Sequence, residues 1–259
     1  MKYTFVLIFF LLFCYLYIHF FINSSIKYIT PKEGYYIIDK SNYFKTFNEN
    51  DFKIRNCDNE EHCKQIYKKN LTNFSSAEKK HLGKLVNKTN NFLKKYPSLN
   101  NIPWLFCKIN PNIEEGFPHT HSDVIFLSKY FFKNRMKNKI ETLIHEKIHV
   151  YQRKYPRKTQ IFYKKKNFNK NNINTHLRRA NPDVDKFNYD FKGTEFYLKY
   201  DHDPVKINDV VDYHSKENDE LIEKYGFKNE HPNEIFAYLI SKKIVNNNLK
   251  DKDMIDYIS

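Results

Sequence analysis

Two histidines and a glutamate within the segment ETLIHEKIH, residues 141–149, are the residues of this chain best suited to chemistry. His145 and His149 are four positions apart, and Glu146 directly follows the first of them. On an α-helix, positions i and i+4 lie on one face, so both imidazoles can bind the same tetrahedral metal ion. Glu146 would then lie beside the open coordination position, where a carboxylate can take a proton from a water that zinc has acidified to a pKa of about 7. The pattern predicts a Zn²⁺ site with Glu146 as general base; the alternative is two solvated histidines on an amphipathic helix.

A catalytic zinc needs a third protein ligand, which the sequence offers downstream of the histidines. Residues 150–155, VYQRKY, lack the glycine and histidine with which the metzincin motif continues, so that class of site is excluded. A glutamate on a later helix is another common solution, and the segment EHPNEIFAY, residues 230–238, supplies Glu234. Ala237 is small enough to let this helix approach the two histidines closely. We therefore predict His145, His149 and Glu234 as the metal ligands.

Other residues are alternatives to Glu234 as the third metal ligand. Glu230 is the first alternative, in the turn before the helix that carries Glu234. A further group of carboxylates and histidines consists of Asp185, Glu195, His202 and His214. Glu234 itself has a simpler interpretation, as a solvated carboxylate that the helix dipole favours in a first turn.

Hydrophobic periodicity indicates the elements that must position these residues. The first predicted element is a helix that ends before Pro97 and carries Leu82, Leu85, Val86, Phe92 and Leu93. Two strands follow, at Trp104–Ile109 and at residues 123–128 (DVIFLS). Three more helices are predicted: one over residues 137–155, one of three turns between Ser215 and Gly226, and an amphipathic one that begins at Pro232. The fold class is therefore predicted to be α+β. Residues 26–100 are interpreted as a lead-in region with one helix, and residues 101–259 as the domain that holds the site.

Composition excludes several function classes. Of 259 residues, 41% are hydrophobic and 17% aromatic, so the chain can bury a core and is not intrinsically disordered. Its 5 glycines cannot be assembled into a dinucleotide-binding or P-loop motif. The formal net charge of +14 and the basic stretch at residues 163–170 suggest, as an alternative function, a polyanion-binding ectodomain. No nucleic-acid-binding motif accompanies that stretch, so nucleic acid is not an expected partner.

The N-terminus has the composition of a membrane span. Residues 4–22 carry no formal charge, and at about 1.5 Å per residue a helix of this length crosses the hydrocarbon core. The apolar run is longer than that of a cleavable signal peptide and lacks a small-residue exit, which favours an uncleaved signal anchor over residues 1–25. The short N-terminal tail favours translocation of the rest, to the luminal or external side. In that oxidising space Cys57 and Cys63 could form a disulfide, leaving Cys107 unpaired.

A family resemblance follows from these motifs. HEKIH at residues 145–149, followed far downstream by Glu234-x-x-Ala237, resembles the gluzincin metallopeptidases. The wider set FPHTHSDVIFLS, LIHEKIHVYQR, NPDVD and EHPNEIFAY is similar to uncharacterised metallopeptidase candidates of large nucleocytoplasmic DNA viruses, over residues 100–245. The resemblance implies a zincin-like fold, with His145, His149 and Glu234 as ligands and Glu146 as base. Some gluzincins have an aspartate where this chain has Tyr238.

The resemblance also implies a substrate-binding edge strand beside the active-site helix. By position this strand is DVIFLS, so Asp123, Val124, Ile125 and Phe126 are predicted to bind substrate. His119 and His121, on one face of the extended segment before it, are an alternative contribution to the metal site. A residue opposite the zinc usually polarises the oxyanion, and the candidates are Arg178, Tyr189, Tyr213 and His214. The segment Asn181-Pro182-Asp183 is interpreted as a turn.

Together these observations predict a single-pass, membrane-anchored zinc metallopeptidase of gluzincin type that hydrolyses peptide bonds in a protein or peptide substrate. Its membrane would be viral or that of a host if the viral resemblance holds. Two different functions stay open beside it: a catalytically silent zinc-fold protein that makes surface or envelope interactions, and the basic polyanion-binding ectodomain.

Overall fold

Two β-sheets and a set of helices around them form the structure. The computed structural model describes residues 26–171, 177–225 and 230–259, and within these ranges nine strands and ten α-helices are present. The predicted α+β class is confirmed.

The strands and helices have the following bounds. The strands are β1 (Ile26–Ile29), β2 (Leu71–Thr72), β3 (Trp104–Ile109), β4 (His119–His121), β5 (Val124–Leu127), β6 (Phe168–Lys170), β7 (Tyr189–Phe191), β8 (Thr194–Tyr200) and β9 (Val210–His214). The helices are α1 (Pro31–Lys40), α2 (Glu49–Ile54), α3 (Glu60–Lys69), α4 (Ser76–Leu93), α5 (Pro97–Asn100), α6 (Met136–Lys154), α7 (Pro156–Lys165), α8 (Asp219–Tyr225), α9 (Pro232–Val245) and α10 (Lys252–Ile258).

The first sheet has the order β1-β3-β5-β4, with β2 added beside the end of β3. β1, β3 and β5 run parallel to one another, and β4 returns antiparallel to β5 at the edge. Because successive side chains of a strand point to opposite faces, β3 divides its residues between two cores. Phe106 packs with the helices on the α4 and α6 side, while Cys107 packs with the other core on the α1 and α3 side.

Residues 26–100 contribute more than the single helix predicted for them. They form five α-helices, of which α4 is the predicted one, and they also supply β1 and β2, which pair with β3. The pattern was missed because the helices before α4 are short and mix aromatic with charged residues. The disulfide between Cys57 and Cys63, which the sequence left as a possibility, is present, and Cys107 is free and buried.

The second sheet is antiparallel, in the order β6-β7-β8-β9. Phe191 and Phe196 point from it into the core that also holds Phe236 of α9. The sheet therefore supports α9 from the side opposite the helix that carries the histidines.

The predicted helices of the C-terminal half are largely present. α6 ends before Pro156, which becomes the first residue of α7, and α9 begins at Pro232 as predicted. The helix predicted after Ser215 begins later than expected: α8 starts at Asp219, with the Asn218 side chain accepting from the backbone N–H of Leu221, and the predicted end at Gly226 lies outside the described residues. Ser215 instead extends the pairing of β9 with β8 through Glu195.

The predicted membrane span lies outside the described residues. Within the part of the chain that the structure describes, no helix has the length and apolar character needed to cross a bilayer.

Candidate metal centre

The two histidines and Glu234 converge between α6 and α9. The Nε2 atoms of His145 and His149 lie 2.9 Å apart. The carboxylate of Glu234 places Oε2 3.3 Å from Nε2 of His145 and Oε1 3.6 Å from Nε2 of His149. Among the described residues, these three form the group of histidine, cysteine and acidic side chains close enough to hold one metal ion. The structure thus brings together the three predicted ligands.

The orientation of His149 is set by Gln152, one turn further along α6. The Nδ1 atom of His149 lies 2.9 Å from Oε1 of Gln152, a carbonyl-type acceptor that keeps the imidazole proton on Nδ1. The lone pair of Nε2 is then free to point toward Glu234 and a metal. Gln152 is itself fixed, because its Nε2 donates to the backbone oxygen of Asn233 at 3.0 Å. Metal-binding histidines commonly have such a partner for their other ring nitrogen.

Glu234 occupies the first turn of α9, where unpaired backbone N–H groups favour a negative charge. The helix start is defined by Pro232 and by the His231 side chain, which accepts from the backbone N–H of Asn233 at 3.0 Å. Burial alone would raise the pKa of Glu234, but His149 and His145 outweigh it and hold that pKa well below its usual range. Ala237, one turn later, is fully buried, as the close approach of the two helices requires.

Glu146 is buried beside the ligands without a partner for one of its oxygens. Its Oε2 has no hydrogen-bond partner among the described residues. Burial first, and then the nearby carboxylates of Asp183 and Glu234, raise the pKa of Glu146 well above its usual range, against a smaller opposing effect of Arg153. The neighbouring carboxylates thus disfavour the charged form of Glu146, and a bound cation would oppose this effect.

Glu230, the first alternative to Glu234, has a different partner. Both of its oxygens lie 2.6 Å from the guanidinium of Arg179. The four further candidates for the third ligand also lie outside the group of three: Asp185 accepts from His231 and Tyr189, Glu195 accepts from Asn188, His202 is exposed, and His214 ends β9.

His119 and His121 point away from the metal centre. They pack on the face of the first sheet that carries Phe126, and His121 also contacts the rings of Tyr43 and Phe44. Thr120, between them, points to the opposite face and contacts Arg153 of α6. The alternative in which these histidines join the metal site is therefore wrong, because strand alternation places them in the other core.

The predicted edge strand is also placed differently. β5 lies inside the sheet, between β3 and β4, and the edge beside α6 is β4. Val124, Ile125 and Phe126 are buried, and their backbones face paired strands on both sides, while Asp123 is an exposed residue of the β4–β5 turn. This corrects the prediction that Asp123, Val124, Ile125 and Phe126 bind substrate. The sequence does not show whether β4 or β5 lies at the edge of the sheet, because both short strands adjoin the same turn.

The segment Asn181-Pro182-Asp183, predicted as a simple turn, is part of the site. The amide Nδ2 of Asn181 donates to Glu234 Oε1 and to Glu230 Oε2, at 3.0 Å each. Asp183 is buried and accepts from the backbone N–H of Thr120 at 2.8 Å. No spacing rule connects this segment to the histidine motif. The polar residues on either side of Pro182 were the available indication that the segment makes buried contacts.

Tyr238 is the tyrosine that lies against the ligands. Its ring centroid is 4.3 Å from that of His145, and the residue is 63% exposed. Burial and then the carboxylates of Glu234 and Glu146 raise the pKa of Tyr238, so its hydroxyl group lies near both carboxylates. Among the predicted oxyanion candidates, Arg178 donates to two backbone oxygens and Tyr189 donates to Asp185. Tyr213 stacks on Tyr197 of the second sheet. Tyr238 could have been predicted to lie near the ligands, because it follows Glu234 by four residues and so shares its face of α9.

A second buried cluster of charges lies on the other side of the first sheet. Arg55 donates to Glu114 through Nε at 2.9 Å and Nη2 at 3.0 Å, and to Asp51 through Nη1 at 3.0 Å. Three tyrosine hydroxyl groups complete the cluster, from Tyr43, Tyr67 and Tyr200. We call these six residues the arginine cluster. Both of its carboxylates are paired with Arg55 and accept from tyrosine hydroxyl groups, whereas Oε2 of Glu146 in the metal centre has no hydrogen-bond partner among the described residues.

Comparisons with known proteins do not add a family assignment: the chain matches no family model, no curated protein and no solved structure. The chemistry of the site therefore has to be argued from its own residues.

Proposed function

We propose that this protein is a zinc metallopeptidase of gluzincin type, with a zincin-like domain, that hydrolyses peptide bonds. The observation that carries the proposal is the convergence of His145, His149 and Glu234 on one point, with Glu146 beside it. Two imidazole nitrogens and one carboxylate are a common ligand set of catalytic zinc, which leaves a coordination position open.

The residues present fit such an ion in two respects. The Nε2 atoms of His145 and His149 lie 2.9 Å apart and both face the carboxylate of Glu234, so these three ligand atoms can contact one cation. The carboxylates of Glu146, Glu234 and Asp183 also lie near one another, so added positive charge would be stabilised there.

When bound, zinc would supply a Lewis acid and an acidified water. Glu146, adjacent in sequence to His145 and free at Oε2, is the group that would accept the proton of the attacking water and later pass it to the leaving amine. Gln152 holds His149 in the required tautomer. Tyr238 has its hydroxyl group near the carboxylates of Glu234 and Glu146 and is the proposed donor to the oxyanion.

The test is a Glu146→Gln variant of the full-length protein in detergent. The side chain keeps its shape but loses its basicity, so we expect zinc content to stay unchanged and peptide hydrolysis to fall by about 10² to 10⁴-fold. Glu141→Gln, on the same helix, is the matched control and should keep full activity. A Glu146→Gln variant that cleaves peptides at the parent rate would refute the proposed mechanism.

Membrane anchoring through residues 4–22, a luminal or external catalytic domain, a viral or host membrane and a protein or peptide substrate belong to the same proposal. The basic ectodomain alternative is weakened by one contact: Lys166 in the basic stretch is paired with Asp251 at 2.9 Å and Asp253 at 3.0 Å. A catalytically silent interaction protein would be favoured if the Glu146→Gln variant kept the full biological activity of the parent.

A further inference from the structure

The edge of the first sheet beside the metal centre is already occupied by the chain itself. The backbone N–H of Thr120, in the edge strand β4, donates to Oδ1 of Asp183 at 2.8 Å. The backbone oxygen of Thr120 accepts from Nη2 of Arg153 at 3.3 Å. Both main-chain groups through which this residue could pair with another strand are therefore used by side chains.

Thr120 is the decisive residue of this edge. In an antiparallel pair, alternate residues direct their backbone N–H and C=O groups toward the partner strand. The backbone groups of His119 and His121 face β5, and those of Thr120 face outward, away from the sheet. Before the strand, Pro118 has no N–H to offer. After it, the backbone oxygen of Ser122 accepts from Nη1 of Arg153 at 3.4 Å. Within residues 119–121 an incoming peptide would therefore find neither a free N–H group nor a free backbone oxygen on the outward side.

Residues 181–183, which we call the edge segment, extend from this strand to the metal ligands. At one end, Asn181 donates to Oε1 of the ligand Glu234. At the other end, Asp183 accepts from Thr120, and the backbone oxygen of Asp183 accepts from Nδ2 of Asn233 at 3.0 Å. The backbone oxygen of Pro182 accepts from Arg153. Each residue of the edge segment is thus held by a contact to β4, α6 or α9.

The residue before the edge segment is anchored as well. The backbone N–H of Ala180 donates to Asp51 at 3.1 Å, and its backbone oxygen accepts from Arg55 at 3.3 Å. The arginine cluster therefore fixes the start of the segment. These contacts describe a built-in occupant of the sheet edge.

We propose that the edge segment takes the place that an extended peptide would otherwise occupy on β4, and that the substrates are short peptides. This inference rests on the proposed function and narrows its substrate class. Main-chain hydrogen bonds along a sheet edge supply much of the affinity for an extended polypeptide. With Thr120 already paired, a long peptide gains no such bonds, and binding depends on the few residues next to the scissile bond, reached from the side on which Tyr238 is exposed.

The test measures binding in a Glu146→Gln background, so that turnover and the influence of Asp183 on the pKa of Glu146 do not enter. The probes are two peptide mixtures blocked at both ends: tripeptides, and peptides of about twelve residues that would span the edge strand. In the zinc-loaded protein we expect Asp183→Ala to raise the ratio of the affinity for long peptides to the affinity for tripeptides about 10-fold or more. Asp183→Asn, which keeps an acceptor for Thr120, should behave like the background protein.

Hydrogen exchange of the Thr120 amide shows whether the edge has opened. We expect this amide to be protected in the background protein and in Asp183→Asn, and to exchange faster in Asp183→Ala. Should Asp183→Ala not fold, Arg153→Gln, which frees the backbone oxygen of Thr120, takes its place with the same expected direction. The proposal is overturned if the background protein already binds long peptides as tightly as the opened variant, if the Thr120 amide stays protected in Asp183→Ala, or if it becomes exposed without a gain in affinity.

The outcome for the proposed function is read separately, from hydrolysis of both peptide mixtures by the parent protein. Absence of hydrolysis of the tripeptides and of the long peptides at full zinc content would reject the peptidase proposal whatever the binding data show. Hydrolysis of long peptides at the same kcat/KM as tripeptides would reject the edge segment proposal and leave the peptidase proposal intact.

Discussion

The metal centre and the arginine cluster are both buried groups of charges, yet they differ in how their polar atoms are satisfied. In the arginine cluster, Arg55 donates to both oxygens of Glu114 and to Asp51, and these side chains are at most 6% exposed. In the metal centre, the ring atom Nδ1 of His145 and Oε2 of Glu146 are buried and have no hydrogen-bond partner among the described residues.

The difference is the one expected between a cluster that stabilises the fold and a site that binds a ligand. A buried charge that is fully paired holds elements together, here α2, the second sheet and the segment before Asn181. A buried polar atom without a partner costs free energy and persists where a ligand or a reaction uses it. Each of the following predictions tests one side of this contrast.

The largest effect is expected from Arg55→Met, which leaves Glu114 and Asp51 buried without their cation. Such a change typically costs about 3–5 kcal/mol of unfolding free energy. Urea unfolding would measure it, while the folded protein should retain the zinc content of the parent. Lys252→Met, in an exposed pair with Asp256, is the matched control and should change stability little. Unchanged stability of Arg55→Met would remove the structural role of the cluster.

Acid should act on the same cluster. Burial alone would raise the pKa of Glu114, but Arg55 outweighs it and lowers that pKa from its ordinary 4.5 to about 2. A carboxylate with a lowered folded-state pKa stabilises the protein above pH 4.5 and loses this contribution as the pH falls toward 2. The shift corresponds to about 3 kcal/mol. Urea midpoints measured between pH 5 and pH 2 should fall more steeply in the parent than in Glu114→Gln; equal slopes would contradict this assignment.

At the metal centre, Tyr238→Phe removes the hydroxyl group and keeps the ring that packs on His145. Loss of one oxyanion donor should lower kcat about 100-fold with little change in KM or zinc content. Peptide hydrolysis at several substrate concentrations separates the two constants. Tyr36 has nearly the same exposure, 64%, so Tyr36→Phe serves as the control. If kcat is retained in Tyr238→Phe, another group stabilises the oxyanion.

A smaller effect is expected from Gln152→Leu, which removes the acceptor that orients His149. Loss of such a partner weakens zinc binding about 10-fold. Competition with a zinc chelator measures the dissociation constant, and Gln160→Leu, at an exposed position of α7, is the control. Equal zinc affinity of Gln152→Leu and the parent would mean that the orientation of His149 comes from packing alone.

The metal ligands were predictable because helix geometry relates them to one another. The spacing of His145 and His149 requires only that residues 141–149 be helical, and the start signals at Pro232 place Glu234 in a first turn. Pro97 and Pro156 likewise predicted the ends of the helices that precede them, α4 and α6, because proline cannot continue a helix.

The rest depends on contacts between segments far apart in sequence. Asp183 meets Thr120 across 63 positions, and Arg55 meets Glu114 across 59, with no periodic pattern to connect them. The order of β4 and β5 follows from which strand pairs with β3, which is a tertiary choice that the two short apolar runs do not encode locally. Sequence patterns therefore predicted the grouping of His145, His149 and Glu234 but not the contacts of residues 181–183 beside it.

The central claim is that His145, His149 and Glu234 hold one zinc ion, and metal analysis of the purified full-length protein tests it most directly. We expect one equivalent of zinc in the parent and in His202→Ala, which changes an exposed histidine outside the centre, and none in His145→Ala or His149→Ala. A parent protein without zinc after loading, or a His149→Ala variant that binds as much zinc as the parent, would contradict the account.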